Sequence, residues 1–326
     1  MVAYSVSEHP LPILENRPVG PGLYWLVLDA AAAPEASVHV WADCRPGQFV
    51  MLDIPSPVSG VVAAPFAFRR PFSLMDVQVN RSELHFLYKV VGAGTEAMAA
   101  RLPGQHLGVL GPLGKGFPGL LPPHHATAAL PAAAVTLMIA GGIGIAPFYY
   151  VSCDMRRKYA GLATPPQPLR CLYGARTAAD LGPVAALAAG IGPLVLTTND
   201  GSHGGPPGTV VDALNAQPAL MADVNQVFVC GPTRMMDAVV AWMMAHHPDV
   251  PVWVSLETPM PCGTGACSGC VMPRVVAGGL PAKICVEGPV MPARSLIWPL
   301  GTWPEDASMA ASSSSCAAGR ESCPPA

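Results

Sequence analysis

Four cysteines near the carboxyl end, Cys262, Cys267, Cys270 and Cys285, follow the spacing C-x4-C-x2-C-x14-C. Thiolates spaced in this way hold two sulfide-bridged irons, a [2Fe–2S] cluster. The intervening Gly263, Thr264, Gly265, Ala266, Ser268 and Gly269 are all small. They let the loop wrap tightly and turn backbone N–H groups toward a cluster dianion. A structural zinc knot usually divides its ligands into two well-separated pairs. Three ligands in one glycine-rich loop favour iron–sulfur instead.

Three further strings carry chemistry. In Arg70-Pro71-Phe72-Ser73 the strand is expected to put the arginine and the hydroxyl on one side. A guanidinium grips two oxygens of a pyrophosphate, and a serine hydroxyl can bond a flavin ring nitrogen. Gly92-Ala93-Gly94-Thr95 precedes a predicted helix over Glu96–Arg101. It reads either as an anion site of free N–H groups or as an ordinary helix entry with Thr95 as N-cap. Ala140-Gly141-Gly142-Ile143-Gly144-Ile145-Ala146-Pro147 lies where a strand turns into a helix, as a dinucleotide pyrophosphate loop should. It is not G-x-G-x-x-G, and the usual acidic ribose ligand is replaced by the neighbourhood of Arg176, which reads equally as a ligand or as a solvated charge. Asn199-Asp200-Gly201-Ser202 and Cys230-Gly231-Pro232 end apolar strands on the edge where α/β sheets bind ligands. Cys230 itself reads as a buried structural cysteine rather than a nucleophile, and His246-His247 as a helix-end cap.

These residues need elements to position them. Short apolar runs at Leu23–Leu28, Phe49–Ile54, Phe72–Val77, Leu84–Val91 and Leu107–Leu110, punctuated by Gly and Pro, predict a small antiparallel barrel. From Val135 the rhythm changes. Runs at Val135–Ala140, Leu169–Tyr173, Leu194–Thr198, Val227–Val229 and Val252–Ser255 alternate with helical stretches such as Met235–His246. That pattern predicts a parallel sheet with helices on its faces. Pro55–Phe68 reads as a loop, and Pro304–Ala326 as a low-complexity tail whose Cys316 and Cys323 are incidental.

Composition sets the bounds. The 326 residues suit about two domains. A net charge of −3 argues against a nucleic-acid surface, and 51% hydrophobic with 12% charged residues excludes extensive disorder. So few charges also point to a partner subunit that covers apolar surface. The first twenty residues show no secretory signal, so the ten cysteines are expected in a reducing cytoplasm, where clustered thiols are metal ligands. The charge-free stretch 116–153 is long enough to span a bilayer, yet its prolines and glycines predict a strand and turn.

Taken in order, the motifs resemble those of the ferredoxin–NADP reductase-like flavoproteins, and among them the electron-transfer subunits of the NAD-dependent, class-B dihydroorotate dehydrogenases. The resemblance is carried by RPFS (Arg70–Ser73), LYKVVGAGT (Leu87–Thr95), GPLGKGF (Gly111–Phe117), AGGIGIAP (Ala140–Pro147) and YGART (Tyr173–Thr177). It continues through TTNDGSHG (Thr197–Gly204), VCGPTRMM (Val229–Met236), MPCGTGACSGCVMP (Met260–Pro273) and KICVEGPVM (Lys283–Met291). It implies a β-barrel FAD domain plus an α/β parallel-sheet NAD domain, with a C-terminal [2Fe–2S] cysteine-rich segment. The corresponding spans are 1–112, 113–250 and 251–300, with 301–326 a tail. FAD contacts are implied at Arg70, Pro71, Phe72, Ser73, Leu87, Tyr88, Lys89, Gly94 and Thr95. Phe72 stands where the wider superfamily often has tyrosine. NAD(H) contacts are expected at Gly142, Gly144, Cys230, Gly231 and Pro232, and cluster ligands at Cys262, Cys267, Cys270 and Cys285. A sibling group, the small subunits of NADH-dependent ferredoxin:NADP oxidoreductases, tends to carry aspartate where this chain has Cys262.

The resemblance implies a relay from a partner FMN-containing TIM-barrel dihydroorotate dehydrogenase subunit, through the cluster and FAD, to NAD+, in a cytoplasmic heterotetramer of pyrimidine biosynthesis. In that arrangement the base that deprotonates dihydroorotate lies on the partner, and no catalytic residue is assigned to this chain. The alternatives are a reductase subunit serving ferredoxin, sulfide or hydrogenase chemistry, and a non-enzymatic, zinc-stabilised nucleotide-binding module. The choice between NAD and NADP stays open.

Overall fold

The computed structural model describes residues 7–33, 40–54, 68–119, 135–160, 169–275 and 280–301. The expected loop 55–68, apart from its last residue, lies outside the described residues, as do the 123–131 stretch and the tail. Among the described residues no helix is long and apolar enough to cross a membrane.

Seven strands form the first sheet: β1 (Ser7–Gly20), β2 (Leu23–Asp29), β3 (Phe49–Asp53), β4 (Arg70–Ser73), β5 (Asp76–Gln78), β6 (Glu83–Lys89) and β7 (His106–Leu113). Their order is β4-β3-β7-β1-β2-β6-β5. The terminal strands β4 and β5 are successive in the chain and no ladder joins them, so the barrel is open at that seam. The run Phe72–Val77, expected as one strand, is therefore split. Leu74 N donates to Gln48 O at 3.1 Å on one side of the seam, and Met75 N to His85 O at 2.9 Å on the other. β1, which is not one of the five apolar runs, carries Pro10, Pro12 and Pro18, residues that a strand rarely tolerates. Its first half pairs with β7 and its second half with β2, so each half keeps an open edge where a missing N–H is tolerated.

β3 has two working faces. Val50 and Leu52 belong to the barrel's own core, whereas Phe49 and Met51 join the core that contains Cys270, Cys285 and the second sheet. After β6, helix α1 (Ala93–Ala99) begins three residues earlier than predicted. Gly92 is its N-cap, so Thr95 is not. Thr95 Oγ1 instead reaches back from inside the first turn to accept from Val91 N at 2.9 Å.

The second sheet contains β8 (Val135–Gly141), β9 (Leu169–Ala175), β10 (Leu194–Thr198), β11 (Val224–Cys230) and β12 (Val252–Ser255) in the order β10-β9-β8-β11-β12. All five are parallel, and β8 is buried along its whole length, which explains its continuous apolar run. Helices α2 (Ala146–Lys158), α3 (Ala178–Ala189), α4 (Val210–Ala216) and α5 (Thr233–His246) flank it. α2 starts with Pro147 in its first turn and ends on Arg156, Arg157 and Lys158, matching the helix dipole. His246 closes α5, its ring stacked on Trp242 at 4.7 Å, as expected of a helix-end residue. The uncharged stretch 116–153 thus supplies β8 and the start of α2.

From the end of β12 the chain runs through the cysteine loop into the hairpin β13 (Val271–Met272) and β14 (Ala282–Lys283), a short helix α6 (Ile284–Glu287), and β15 (Val290–Pro292). β15 returns antiparallel to β12 as the sheet's last strand. The cysteine loop packs on the barrel: a Cβ on Gly263, whose φ is +73°, would lie 2.5 Å from Met51 Cγ. Gly263→Ala is therefore expected to lower stability by about 1–3 kcal/mol through overpacking and left-handed strain. Thermal unfolding measures the loss, and in a Met51→Ala background the same substitution should cost less, the difference being the overpacking part.

Candidate functional site

The sheet order places a crevice between β8 and β11, where successive connections leave in opposite directions. A cavity of about 860 Å³ opens there. Gly141, Gly142, Gly231 and Pro232 line its floor, and the ends of β9 and β10 contribute Tyr173, Arg176 and Asn199. Lys89 of the barrel lines the same cavity and reaches Asp180 at 3.4 Å across the two units. Arg176, largely exposed, sits 3.4 Å from the other oxygen of that carboxylate. Although partial burial opposes it, the two cations hold the Asp180 acid below the ordinary carboxylate range.

Not every expected dinucleotide residue faces the cavity. Gly142, at φ +55°, Gly231 and Pro232 do. Gly144 and Cys230 lie beneath it, with no room for a Cβ on Gly144 against the Cys230 carbonyl. Burial foremost, then the nearby Glu257 charge, pushes the Cys230 thiol up to about 12, against a hydrogen bond from Ser255. That is an inert thiol, as the sequence suggested. Tyr173 lines the cavity, and its buried hydroxyl has no hydrogen-bond partner among the described residues. An apolar cavity at the sheet's crevice, with cations at its rim, fits a bound dinucleotide.

Glu257 also lines this cavity and was not singled out from sequence. The available signal was an acid two residues beyond β12, on the edge where the crevice forms. Although the residue is exposed overall, crowding around the carboxyl desolvates it enough to raise its pKa above the ordinary value. The sign follows directly. The folded state holds this proton after the unfolded chain has lost it, so folding stability falls as pH rises between the two values. Glu257→Gln is expected to remove that fall, read as a flatter Tm-against-pH profile in dinucleotide-free protein. An unchanged profile would show that the acid group is not perturbed.

The flavin strings meet at the open end of the barrel. Arg70 and Ser73 do not share a side: three residues apart on a strand, they fall on opposite faces. The pairs Val50–Phe72 and Leu52–Arg70 put Arg70 with Phe72 on the barrel-core side, leaving Pro71 and Ser73 on the other. Phe72 meets Tyr88 edge-on at 6.2 Å, and the Tyr88 hydroxyl donates to Asn16 Oδ1 at 2.9 Å. Leu87 points instead into the core shared with the second sheet. The Arg70 guanidinium lies against the bare Cα of Gly94, in space that any Cβ would fill. A glycine that lets an arginine close over the first turn of α1 fits a pyrophosphate cradle, with Thr95 bracing the turn.

In the cysteine loop the sulfurs are met by backbone donors. Cys262 Sγ accepts from Thr264 N at 3.4 Å and from Cys267 N at 3.5 Å, and Cys267 Sγ from Gly269 N at 3.4 Å. Cys270 Sγ accepts from Cys285 N at 3.4 Å. Slight burial opposes it, but the N–H groups of Cys267 and Thr264 bring the Cys262 thiol down to about 6. Burial, then the adjacent Cys270, lifts Cys285 to about 12. Cys270 and Cys285 are buried and Cys267 is exposed. Among the described residues no three metal-binding side chains close on one point as the ligands of a single ion would. Three thiols of one loop and a fourth on α6, set among N–H donors, match in type and number the donors that a sulfide-bridged pair of irons requires.

Comparison with known proteins agrees with this division. A family model described as the iron–sulfur cluster binding domain of dihydroorotate dehydrogenase B matches residues 257–297, and an oxidoreductase NAD-binding domain matches 138–241. The electron transfer subunit of dihydroorotate dehydrogenase B (NAD(+)) from Bacillus caldolyticus is 32% identical over 292 residues, covering 90% of this chain and 99% of that one. The Geobacillus kaustophilus subunit of the same name is 32% identical with the same coverage. Among solved structures, an NADH-dependent reduced ferredoxin-NADP oxidoreductase superposes with a TM-score of 0.66 at 23% identity, covering 88% of this chain and 90% of that one. An Amycolatopsis cytochrome P450 reductase follows at 0.58 and 21%, covering 79% and 72%.

Proposed function

Because the chain belongs to the family of dihydroorotate dehydrogenase B electron transfer subunits, we propose that it carries electrons from a catalytic partner subunit that oxidises dihydroorotate to NAD+. When bound, the [2Fe–2S] centre handles electrons singly and the flavin gathers two for transfer as a hydride, which nicotinamide requires. The chain's own residues bind and orient. Cys262, Cys267, Cys270 and Cys285 hold the irons, and Arg70, closed over Gly94, holds the FAD pyrophosphate. Pro71, Phe72, Ser73, Tyr88 and Thr95 complete the walls of the flavin site, while Leu87 anchors β6 beneath it. Gly142, Gly231 and Pro232 leave room for the dinucleotide backbone, and Gly144 and Cys230 support that floor from below. Lys89 and Arg176 at the rim attract its phosphates.

The observation that carries this reading is the position of the cysteine loop. It rests on β3 through Gly263 and Met51, one strand away from the flavin string on β4, and its exit strand β15 is part of the dinucleotide sheet. A zinc knot that only stabilised the chain would not need both neighbours. We assign residues 1–112 to the flavin domain, 113–250 to the dinucleotide domain and 251–300 to the cluster segment, with 301–326 a tail. Val275, Leu280 and Val286 expose apolar side chains on the cluster segment, which also carries the exposed Cys267. This surface suits the partner, an FMN-bearing TIM barrel in a cytoplasmic heterotetramer. The test is reconstitution. The chain alone, purified anaerobically, should contain iron, sulfide and FAD and oxidise NADH with artificial acceptors, yet leave dihydroorotate untouched until the partner is added. Turnover of dihydroorotate by the chain alone, or stoichiometric zinc without flavin, would refute the reading.

A further inference from the structure

Lys283 is the last residue of β14, two positions before Cys285. Its side chain does not extend into solvent but folds back onto the cysteine loop, where Nζ donates to the Gly265 carbonyl at 2.8 Å. That same Gly265 packs against Val286, the chain neighbour of Cys285. The nearest other charges of the segment, Arg274 and Glu287, neutralise one another. Glu287 pairs with Arg274 at 2.7 Å, and its second oxygen accepts only the Lys283 main-chain N–H, at 3.0 Å. No carboxylate among the described residues pairs with the Lys283 ammonium. The Lys283 ammonium is therefore a positive charge without a carboxylate partner among the described residues, held on the loop that carries three of the four cysteines, in a chain with few charges.

We propose that Lys283 tunes the iron–sulfur centre, its ammonium raising the reduction potential by stabilising the reduced state. The inference rests on the [2Fe–2S] reading above. Reduction adds one electron and breaks no bond: one ferric ion becomes ferrous and the centre passes from dianion to trianion. A fixed cation close to the loop favours the more negative state, and net charge and hydrogen bonding are the protein's levers on such potentials. A lysine that served only to fasten the loop would act through its hydrogen bond, not through its charge.

The two roles separate by substitution. In the full chain carrying its centre, Lys283→Gln keeps a donor for the Gly265 carbonyl without charge, Lys283→Met removes both, and Lys283→Arg keeps both. Anaerobic redox titration followed by electron paramagnetic resonance reads the potential, with electrons supplied by dithionite through mediators. The expected result is a fall with Gln and Met equivalent to an about tenfold shift of the one-electron equilibrium toward the oxidised form, or ~59 mV. Arg should remain near the parent protein, and the gap should narrow as salt is raised. A Gln variant at the parent potential overturns the proposal, and so do neutral variants that hold no centre, since the lysine would then be a fastener. A parent protein without iron and sulfide would instead refute the underlying reading.

Discussion

Replacing Cys270 with serine is expected to abolish transfer between the partner subunit and NAD+ while sparing NADH oxidation by artificial two-electron acceptors. Cys270 is buried and its sulfur already accepts the Cys285 N–H, so a hydroxyl there is a poor iron ligand in a fixed position. Even loss of groups that only support metal ligands costs about 10–100-fold in affinity or activity, and loss of a ligand should exceed that. Dihydroorotate-dependent NAD+ reduction in the reconstituted complex should drop at least ~100-fold, together with the iron–sulfur absorbance and paramagnetic signal. FAD content should be unchanged, because Arg70 and Gly94 lie on separate elements. Full cross-subunit rates in a variant shown to lack iron would sink the relay.

Gly94→Ala carries the second large effect. A methyl group there enters the space of the Arg70 guanidinium, and the arginine must withdraw from the turn it covers. A hydrogen bond to a charged group contributes about 1.5–3 kcal/mol, so FAD binding to the deflavinated chain should weaken roughly 10–100-fold. Gly92→Ala is the matched control. It lies two residues away at φ 167°, an extended conformation open to any residue, with nothing within 4 Å of an added Cβ. Flavin titration should find it close to the parent. Equal affinities for Gly94→Ala and the parent would remove Arg70 from the pyrophosphate site.

How much of this was legible in the chain follows from the range of each interaction. The four cysteines were readable because their spacing and the small residues between them are local facts. The parallel sheet was readable because β8 is apolar apart from Thr136 and runs into glycines. β1 was hidden because its prolines are tolerated only through partners that change halfway along it. The corner at Leu74 and Met75 depends on Gln48 and His85, neither of them a neighbour in sequence. Lys89 was read with the flavin, but Asp180, 91 residues away, shows that it also borders the dinucleotide cavity. Glu257 and Tyr173 gain their character from desolvation, which no local pattern records.

The division of β3 between two cores has a genetic corollary. Val50 and Leu52 support the side that carries Arg70 and Phe72, while Phe49 and Met51 support the side that carries the cysteine loop. A saturation scan through these four codons should yield alternating phenotypes, flavin-poor at even positions and iron-poor at odd ones. Colony colour would then sort the defects by parity.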